Sequence, residues 1–373
     1  MAKAIESHEL PAEFERRVRR LLLQWFKRAR RDLPWRRDRD PYRIWVSEIM
    51  LQQTQVATVV PFFERFLLAF PSVADLARAD EQAVLRLWEG LGYYRRARNL
   101  HQAARLVVAQ YGGKIPHEPV ELAKLPGIGR YTMGAVLSQA FDLRLPILET
   151  NSERVLCRLF ARTEDPKNGS GRHWLWQAAE ALLPMRRIGE FNQALMELGA
   201  LVCLPVAPRC TSCPLKQVCV ACRLGIQEEI PPRASAPETL AIQEVAVIVR
   251  RGTRLLLAQR GDQGRWAGLW EFPHAPLEAG ETHDSAAARI LPLLTGVHAD
   301  IGPEWMTVRH SITHHRITLI CFEARYRSGR FRPGFYRAGK WVVPEQLPAY
   351  PVSSPQRRLA TAILEPARQR RFF

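Results

Sequence analysis

The chain has 373 residues, 47% of them hydrophobic, which excludes a disordered polypeptide and leaves room for two or three domains that each bury a core. Lys and Arg number 54 against 37 acidic residues, a net charge of +17; residues 231–373 hold 20 basic and 12 acidic side chains and the rest 34 and 25, so both halves suit a polyanion without naming a reaction. No apolar run approaches the ~20 residues of a membrane helix, and Met1-Ala2-Lys3-Ala4-Ile5-Glu6 shows no secretory stretch, so a soluble cytoplasmic protein with no membrane partner is expected.

From residue 14 to 225 apolar residues recur every three or four positions, predicting helices from Phe14 to Arg31, Tyr42 to Phe70, Asp80 to Trp88, Ala97 to Tyr111, Gly134 to Ala140, Ser152 to Ala161, His173 to Leu183 and Glu190 to Val202. Within the second, Glu48 shares a face with Ile44, Trp45 and Leu51. A carboxyl on an apolar face loses hydration, and its proton is held more tightly, as a general acid near neutral pH requires. The plain alternative is a solvated helix glutamate. Leu125-Pro126-Gly127-Ile128-Gly129-Arg130 reads as a turn feeding a helix, where Gly127 and Gly129 leave the backbone open to a phosphate. Cys203, Cys210, Cys213 and Cys219 follow a helix in the pattern Cys-x6-Cys-x2-Cys-x5-Cys, one thiolate cage suited to tetrahedral zinc or a cubane iron–sulfur cluster. Cys222 is a rival for the last position, and Cys157 and Cys321 read as packing residues.

Residues 226–242 bring three prolines and lose the helical period, as a linker does. Beyond it the period becomes that of strands: Glu244–Arg250 and Arg254–Arg260 flank Arg251-Gly252-Thr253, predicting a hairpin in an α+β second domain.

The cysteine spacing resembles the iron–sulfur loop of the endonuclease III superfamily of DNA glycosylases, a resemblance that favours a [4Fe-4S] cluster over zinc. The stretch Pro41–Val56 resembles the first catalytic motif of the MutY family of adenine DNA glycosylases, with Leu33-Pro34-Trp35-Arg36 and Gly90-Leu91-Gly92-Tyr93-Tyr94 matching flanking segments. The resemblance implies that Glu48 protonates the adenine ring, that Gln53 and Tyr93 wedge into the DNA stack, and that Arg31 and Gln193 line the adenine pocket. The glycine turn resembles the superfamily's helix-hairpin-helix. Tyr131 stands where bifunctional members carry the Schiff-base lysine, which implies a monofunctional enzyme without efficient lyase activity. Two departures stand out. Glu149-Thr150-Asn151 replaces the family's aspartate-glycine-asparagine, so Glu149 takes the position of the carboxylate that stabilises the cationic sugar; because glutamate caps helices poorly, Asn151 or Ser152 is expected to cap instead. In the second half, Gly268-Leu269-Trp270-Glu271-Phe272-Pro273, Gly280-Glu281 and Arg289 resemble a Nudix frame, yet Ile290, Leu293 and Leu294 occupy the positions of its metal-binding glutamates and cannot ligate magnesium. Ile312-Thr313-His314 corresponds to the family's Phe-Ser-His loop, so Thr313 and His314 are the candidates for reading 8-oxoguanine.

The fold expected is therefore multidomain α and α+β: a helical helix-hairpin-helix glycosylase domain with a [4Fe-4S] loop over 1–225, a linker over 226–242 and a Nudix-like α+β domain over 243–373. The function expected is adenine removal from double-stranded DNA holding A:8-oxoguanine or A:G mispairs, by a monomeric bacterial protein associated with the nucleoid, with Glu48, Glu149 and Tyr131 in catalysis. The alternatives are a glycosylase-fold damage-binding protein with weakened turnover or altered lesion specificity and a Nudix hydrolase with a DNA-binding arm, the second opposed by its missing acids.

Overall fold

A computed structural model describes residues 11–166, 168–232 and 238–365. The N-terminal residues read above for a leader, and 233–237 of the expected linker, lie outside them. No helix among the described residues is long and apolar enough to cross a membrane.

By packing, the chain forms two units, 1–77 with 102–235 and 78–101 with 236–373. Helices run in the order α1 (Ala12–Ala29), α2 (Pro41–Leu51), α3 (Val56–Ala69), α4 (Val73–Arg78), α5 (Glu81–Trp88), α6 (Arg95–Tyr111), α7 (Pro119–Ala123), α8 (Arg130–Phe141), α9 (Thr150–Phe160), α10 (Gly169–Ala181), α11 (Ile188–Leu201) and α12 (Val220–Leu224). In the first unit α1 buries Val18, Leu22 and Phe26, one residue per turn, against α9, α10 and α11. The α2 helix starts where Asp40 accepts from Tyr42 N at 2.8 Å, with Pro41 at its first position, and nearly every residue from Tyr42 to Met50 is buried. Glycines let α11 approach α8 and α9, and let α8 approach the segment before α9. A Cβ at Gly134 would lie 2.5 Å from the Pro146 carbonyl oxygen, one at Gly189 2.4 Å from that of Ser138, and one at Gly199 2.6 Å from the Asn151 Cβ.

The second unit is a mixed sheet in the order β3-β2-β1-β6-β5, from β1 (Leu240–Arg251), β2 (Arg254–Arg260), β3 (Trp270–Glu271), β4 (His274–Pro276), β5 (Val297–Ile312), β6 (His315–Gly329) and β7 (Tyr336–Val342); β4 also pairs with β1 and β7 with β2. The hairpin expected at Gly252 forms, with Arg251 opposite Arg254. Strands β1 and β6 run parallel, Leu240 opposite His315 through Arg250 opposite Arg325. Alternate β1 residues feed two cores: Val245, Val247 and Val249 meet α13 (His283–Thr295), and Ala246 and Ile248 meet α14 (Ser354–Leu364).

Three expectations differ from the structure. The helix expected from Tyr42 to Phe70 is two, because Gln52 is extended and Gln53 left-handed, with φ 56°. The linker is shorter than 226–242, since β1 already pairs with β6 at Leu240. Residues 78–101, expected inside the glycosylase domain, pack with the second unit: Tyr94 donates to the Val352 carbonyl at 3.1 Å, Trp270 Nε1 to Gln82 at 2.9 Å, and Arg357 clasps Glu89 at 2.6 and 2.9 Å.

Candidate active site and cysteine loop

Glu48 is 3% exposed, and each carboxylate oxygen takes one donor: Tyr131 Oη at 2.7 Å on Oε2 and Gln139 Nε2 at 2.8 Å on Oε1. Burial raises its pKa, against the opposing pull of these two bonds and the Arg36 charge. Tyr131 and Gln139 lie eight residues apart on α8, two turns along one face, so α8 offers both donors to the single acid of α2. The half-buried Tyr131 hydroxyl also lies 3.4 Å from Met196 Sδ, and burial together with the Glu48 and Glu149 carboxylates lifts its pKa well above the usual value. Sequence reading missed Gln139; the eight-residue spacing from Tyr131 in an otherwise apolar stretch is the signal that could have found it.

Glu149 itself caps α9, contrary to the expectation that Asn151 or Ser152 would. Its Oε1 accepts from Ser152 N and its Oε2 from Asn151 N, both at 2.8 Å, while Ser152 Oγ accepts from Glu149 N at 2.8 Å. The extra methylene is absorbed by an extended backbone, φ −135° and ψ 173°, from which the side chain folds back over the helix start. Burial raises the Glu149 pKa, the helix amides and Arg154 pull it down, and the Glu48 charge pushes it up, so the two carboxyls feel each other. Asn151 Nδ2 gives the carboxylate a third donor, the second on Oε2, at 3.1 Å. Asn151 Oδ1 accepts from Arg154 Nη2 at 2.8 Å, and Arg154 Nε donates to the Cys203 carbonyl at 2.7 Å, so one arginine joins the first turn of α9 to the cysteine loop.

Of the residues assigned to the adenine pocket, Arg31 meets the buried Glu197 through its own N–H, Nε and Nη2 at 2.9, 2.9 and 2.7 Å, and Arg36 adds bonds at 3.1 and 3.0 Å. Burial opposes the Glu197 charge, but the two guanidiniums overcome it and hold the pKa at about 2. Gln193 is half-buried on α11, three residues before Met196. Gln53 is exposed at the turn after α2. In the helix-hairpin-helix turn, Gly127 is left-handed at φ 81° and exposed Gly129 begins α8 without a side-chain cap, in open space. The first amides of α8 thus have neither an intrahelical acceptor nor a side-chain cap.

Cys203, Cys210, Cys213 and Cys219 line one pocket, and Cys222 joins them. Among the described residues no three such side chains converge as around a single metal ion. Four such thiols are the soft donor set that tetrahedral zinc and a cubane iron–sulfur cluster both take. One cation flanks the loop: Arg158 Nη1 lies 3.4 Å from Cys203 Sγ while also donating to the Leu204 carbonyl at 2.6 Å. Burial pushes the Cys213 thiol up to about 12 and that of Cys210 to about 11, so a bound cation would have to displace their protons.

Within the second unit, Tyr93 stands exposed on a turn in which Gly90, Gly92 and Tyr93 all have positive φ. Arg96 donates to the Leu91 and Gly92 carbonyls at 3.1 and 3.2 Å, and its guanidinium lies 5.4 Å from the Tyr93 ring and 5.6 Å from that of Trp88. Thr313, left-handed at φ 52°, and His314 form the tip of the β5–β6 hairpin, with the His314 and His315 rings 4.2 Å apart. On α13, Ile290 is fully buried and Leu293 is 68% exposed, so the helix presents aliphatic groups.

Residues 46–180 match the family described as HhH-GPD superfamily base excision DNA repair protein, and residues 244–362 match the NUDIX domain. The chain is 39% identical over 320 residues to the adenine DNA glycosylase of Mus musculus, covering 71% of this chain and 62% of that protein. It is 34% identical over 401 residues to that of Rattus norvegicus, covering 91% and 77%. A solved thermostable thymine-DNA glycosylase superimposes with a TM-score of 0.52 at 29% identity, over 57% of this chain and 98% of that one.

Proposed function

The chain belongs to the adenine DNA glycosylase family of base excision repair, and on that premise we propose that it is a monofunctional enzyme hydrolysing the N-glycosidic bond of adenine opposite 8-oxoguanine or guanine in duplex DNA. The observation that carries the reading is the buried Glu48 carboxyl, held by Tyr131 and Gln139 within electrostatic reach of a second carboxylate, Glu149. Because the scissile bond is inaccessible in stacked DNA, the adenine must be flipped out. Glu48, kept protonated by burial, gives its proton to the ring as the bond to the sugar breaks; Glu149 faces the positive charge left on the sugar; the Glu48 carboxylate then takes a proton from the attacking water. The Tyr131 hydroxyl, bound to Glu48, supplies no amine for a covalent sugar adduct. Arg31 and Gln193 would border the flipped base, the amides at Gly127 and Gly129 would take a backbone phosphate, Gln53 and Tyr93 would fill the stack, and Thr313 and His314 would meet the opposite base. Cys203, Cys210, Cys213 and Cys219 would hold a [4Fe-4S] cluster, which when bound cross-links the loop. The aliphatic face of α13 supports recognition rather than pyrophosphate hydrolysis. The protein would act as a monomer on the nucleoid in the cytoplasm.

A second reading, a damage-binding protein of weak turnover, draws on one observation: both Glu149 oxygens are already engaged by the first turn of α9. Single-turnover release of adenine from A:8-oxoguanine duplexes, with G:C controls, separates the two. Release by the wild type and none by Glu48→Gln, with duplex binding intact in both, is the expected result. Release by Glu48→Gln at the wild-type rate would remove Glu48 from the chemistry.

A further inference from the structure

An amide and a hydroxyl are not equivalent partners for a carboxyl that must lose and regain a proton. Gln139 Nε2, on a side chain only 6% exposed, meets Glu48 Oε1 at 2.8 Å and can offer it nothing but a hydrogen. The Tyr131 hydroxyl, 2.7 Å from Oε2, can reverse its direction: it gives its hydrogen to Oε2, or accepts one from Oε2 and sends its own to Met196 Sδ at 3.4 Å. A protonated carboxyl keeps one carbonyl oxygen, a good acceptor, and one hydroxyl oxygen, a poor one. The Gln139 N–H therefore goes with the carbonyl oxygen. The other charged or titratable groups that face Glu48 are Arg36, ahead of α2, and Glu149, ahead of α9, and both act on it through charge.

We propose that Gln139 is a positioning residue that assigns the transferable proton of Glu48 to Oε2. The inference deepens the reading of Glu48 as the acid and rests on it. The proton leaves Oε2 for a ring nitrogen of the base, whose lone pair forms the new N–H bond as the O–H bond breaks, and the O–H electron pair stays on Glu48 as a carboxylate. In that state both oxygens accept, and the Gln139 bond, now made to a charge, becomes shorter and stronger. Gln139 thus helps the proton leave, and it holds the same place when the carboxylate takes a proton back from water. A residue that only filled space on α8 would do neither.

The test compares the full-length wild type with Gln139→Met, which keeps the unbranched shape and loses the donor, and with Gln139→Asn, which withdraws it by about one carbon–carbon bond, ~1.5 Å. In pH-difference infrared spectra taken without DNA, the protonated-carboxyl band that disappears in Glu48→Gln belongs to Glu48. Both Gln139 variants should move its C=O stretch to higher wavenumber, because a hydrogen bond to the carbonyl oxygen is lost, and Tyr131→Phe should move it less. Loss of a donor that favours the carboxylate should also carry the alkaline limb of single-turnover adenine release upward by about one pH unit and slow release below that limb by roughly three- to tenfold. A band that moves in Tyr131→Phe and holds still in both Gln139 variants would put the proton on Oε1 and overturn the assignment. Slower release with limb and band both unmoved, the mark of a merely displaced Glu48, would overturn it too. Far-UV circular dichroism identifies a variant that has not folded, and should Gln139→Met be lost in this way, Gln139→Asn carries the test. Adenine release by Glu48→Gln at the wild-type rate would instead defeat the reading of Glu48 as the acid; the infrared result stands apart from it, since no DNA is present.

Discussion

Glu149 carries the clearest consequence at the scale of single residues. Aspartate is a good helix N-cap, so Glu149→Asp should keep the bonds to Asn151 N and Ser152 N while withdrawing the carboxylate by about one carbon–carbon bond, ~1.5 Å. Under enzyme excess that variant should retain adenine release, whereas Glu149→Gln, lacking the charge, should be slower by about 10²-fold or more. Equal rates for all three forms would take Glu149 out of the mechanism. Glu48 must be protonated and Glu149 ionised, so release should fall on the alkaline side through loss of the Glu48 proton and on the acid side through protonation of Glu149. Because burial raises both pKa values and the charges interact, the two limbs belong to the pair, and both should lie above the ordinary carboxylate range. The same shift bears on stability. A carboxyl whose folded pKa is raised costs the fold nothing below its unfolded pKa and destabilises it increasingly as pH rises above that. Glu48→Gln should therefore raise Tm near neutral pH, and the gain should vanish in acid. Tyr131 can accommodate the amide by turning its hydroxyl toward Met196 Sδ.

Among the elements, α11 is tied to the segment after α1 by one buried acid. Glu197→Gln would leave the Arg31 and Arg36 guanidiniums facing a neutral group, at a cost on the order of 3–5 kcal/mol, reduced by the partial exposure of Arg31, whose side chain is 34% accessible. Chemical denaturation of wild type and variant measures the loss. Since the Glu197 pKa is lowered, its contribution is full above the unfolded value near 4.5 and disappears as pH falls toward about 2, so the two proteins should converge in acid. This cluster was not legible in the sequence, because Arg31 and Arg36 stand 166 and 161 residues from Glu197 and nothing in either segment points to the other. What could be read was local: the Gly252 hairpin, the cysteine spacing, and Glu48 among apolar neighbours, each defined within a dozen or so residues. The cap at Glu149 was misjudged because propensity ranks residue types, while the extended backbone before α9 gives the longer side chain its reach.

For the whole molecule, the path of the chain between its units matters more than the linker. Residues 78–101 belong by contact to the sheet-bearing unit, so a protein ending at residue 235 would keep the Tyr93 turn but lose Val352, Trp270 and Arg357, the partners of Tyr94, Gln82 and Glu89. Such a truncation should be cleaved by protease within 78–101 well before the intact chain, and mass spectrometry of the first fragments would show where. First cuts elsewhere would contradict the packing. No periodicity marks this division, because α5 reads as an ordinary amphipathic helix whichever unit covers it. The glycines at 134, 189 and 199 have a different reach. Each faces backbone or the base of a side chain that no rotamer change can move aside, so any added Cβ displaces a helix. Every glycine codon begins with two guanines, and an unrepaired A:8-oxoguanine pair is fixed as a G-to-T transversion. At those codons that change yields valine, cysteine, tryptophan or a stop, each incompatible with the contact. In the role proposed, a lineage that loses this repair would thus accumulate a class of error that these three positions cannot absorb.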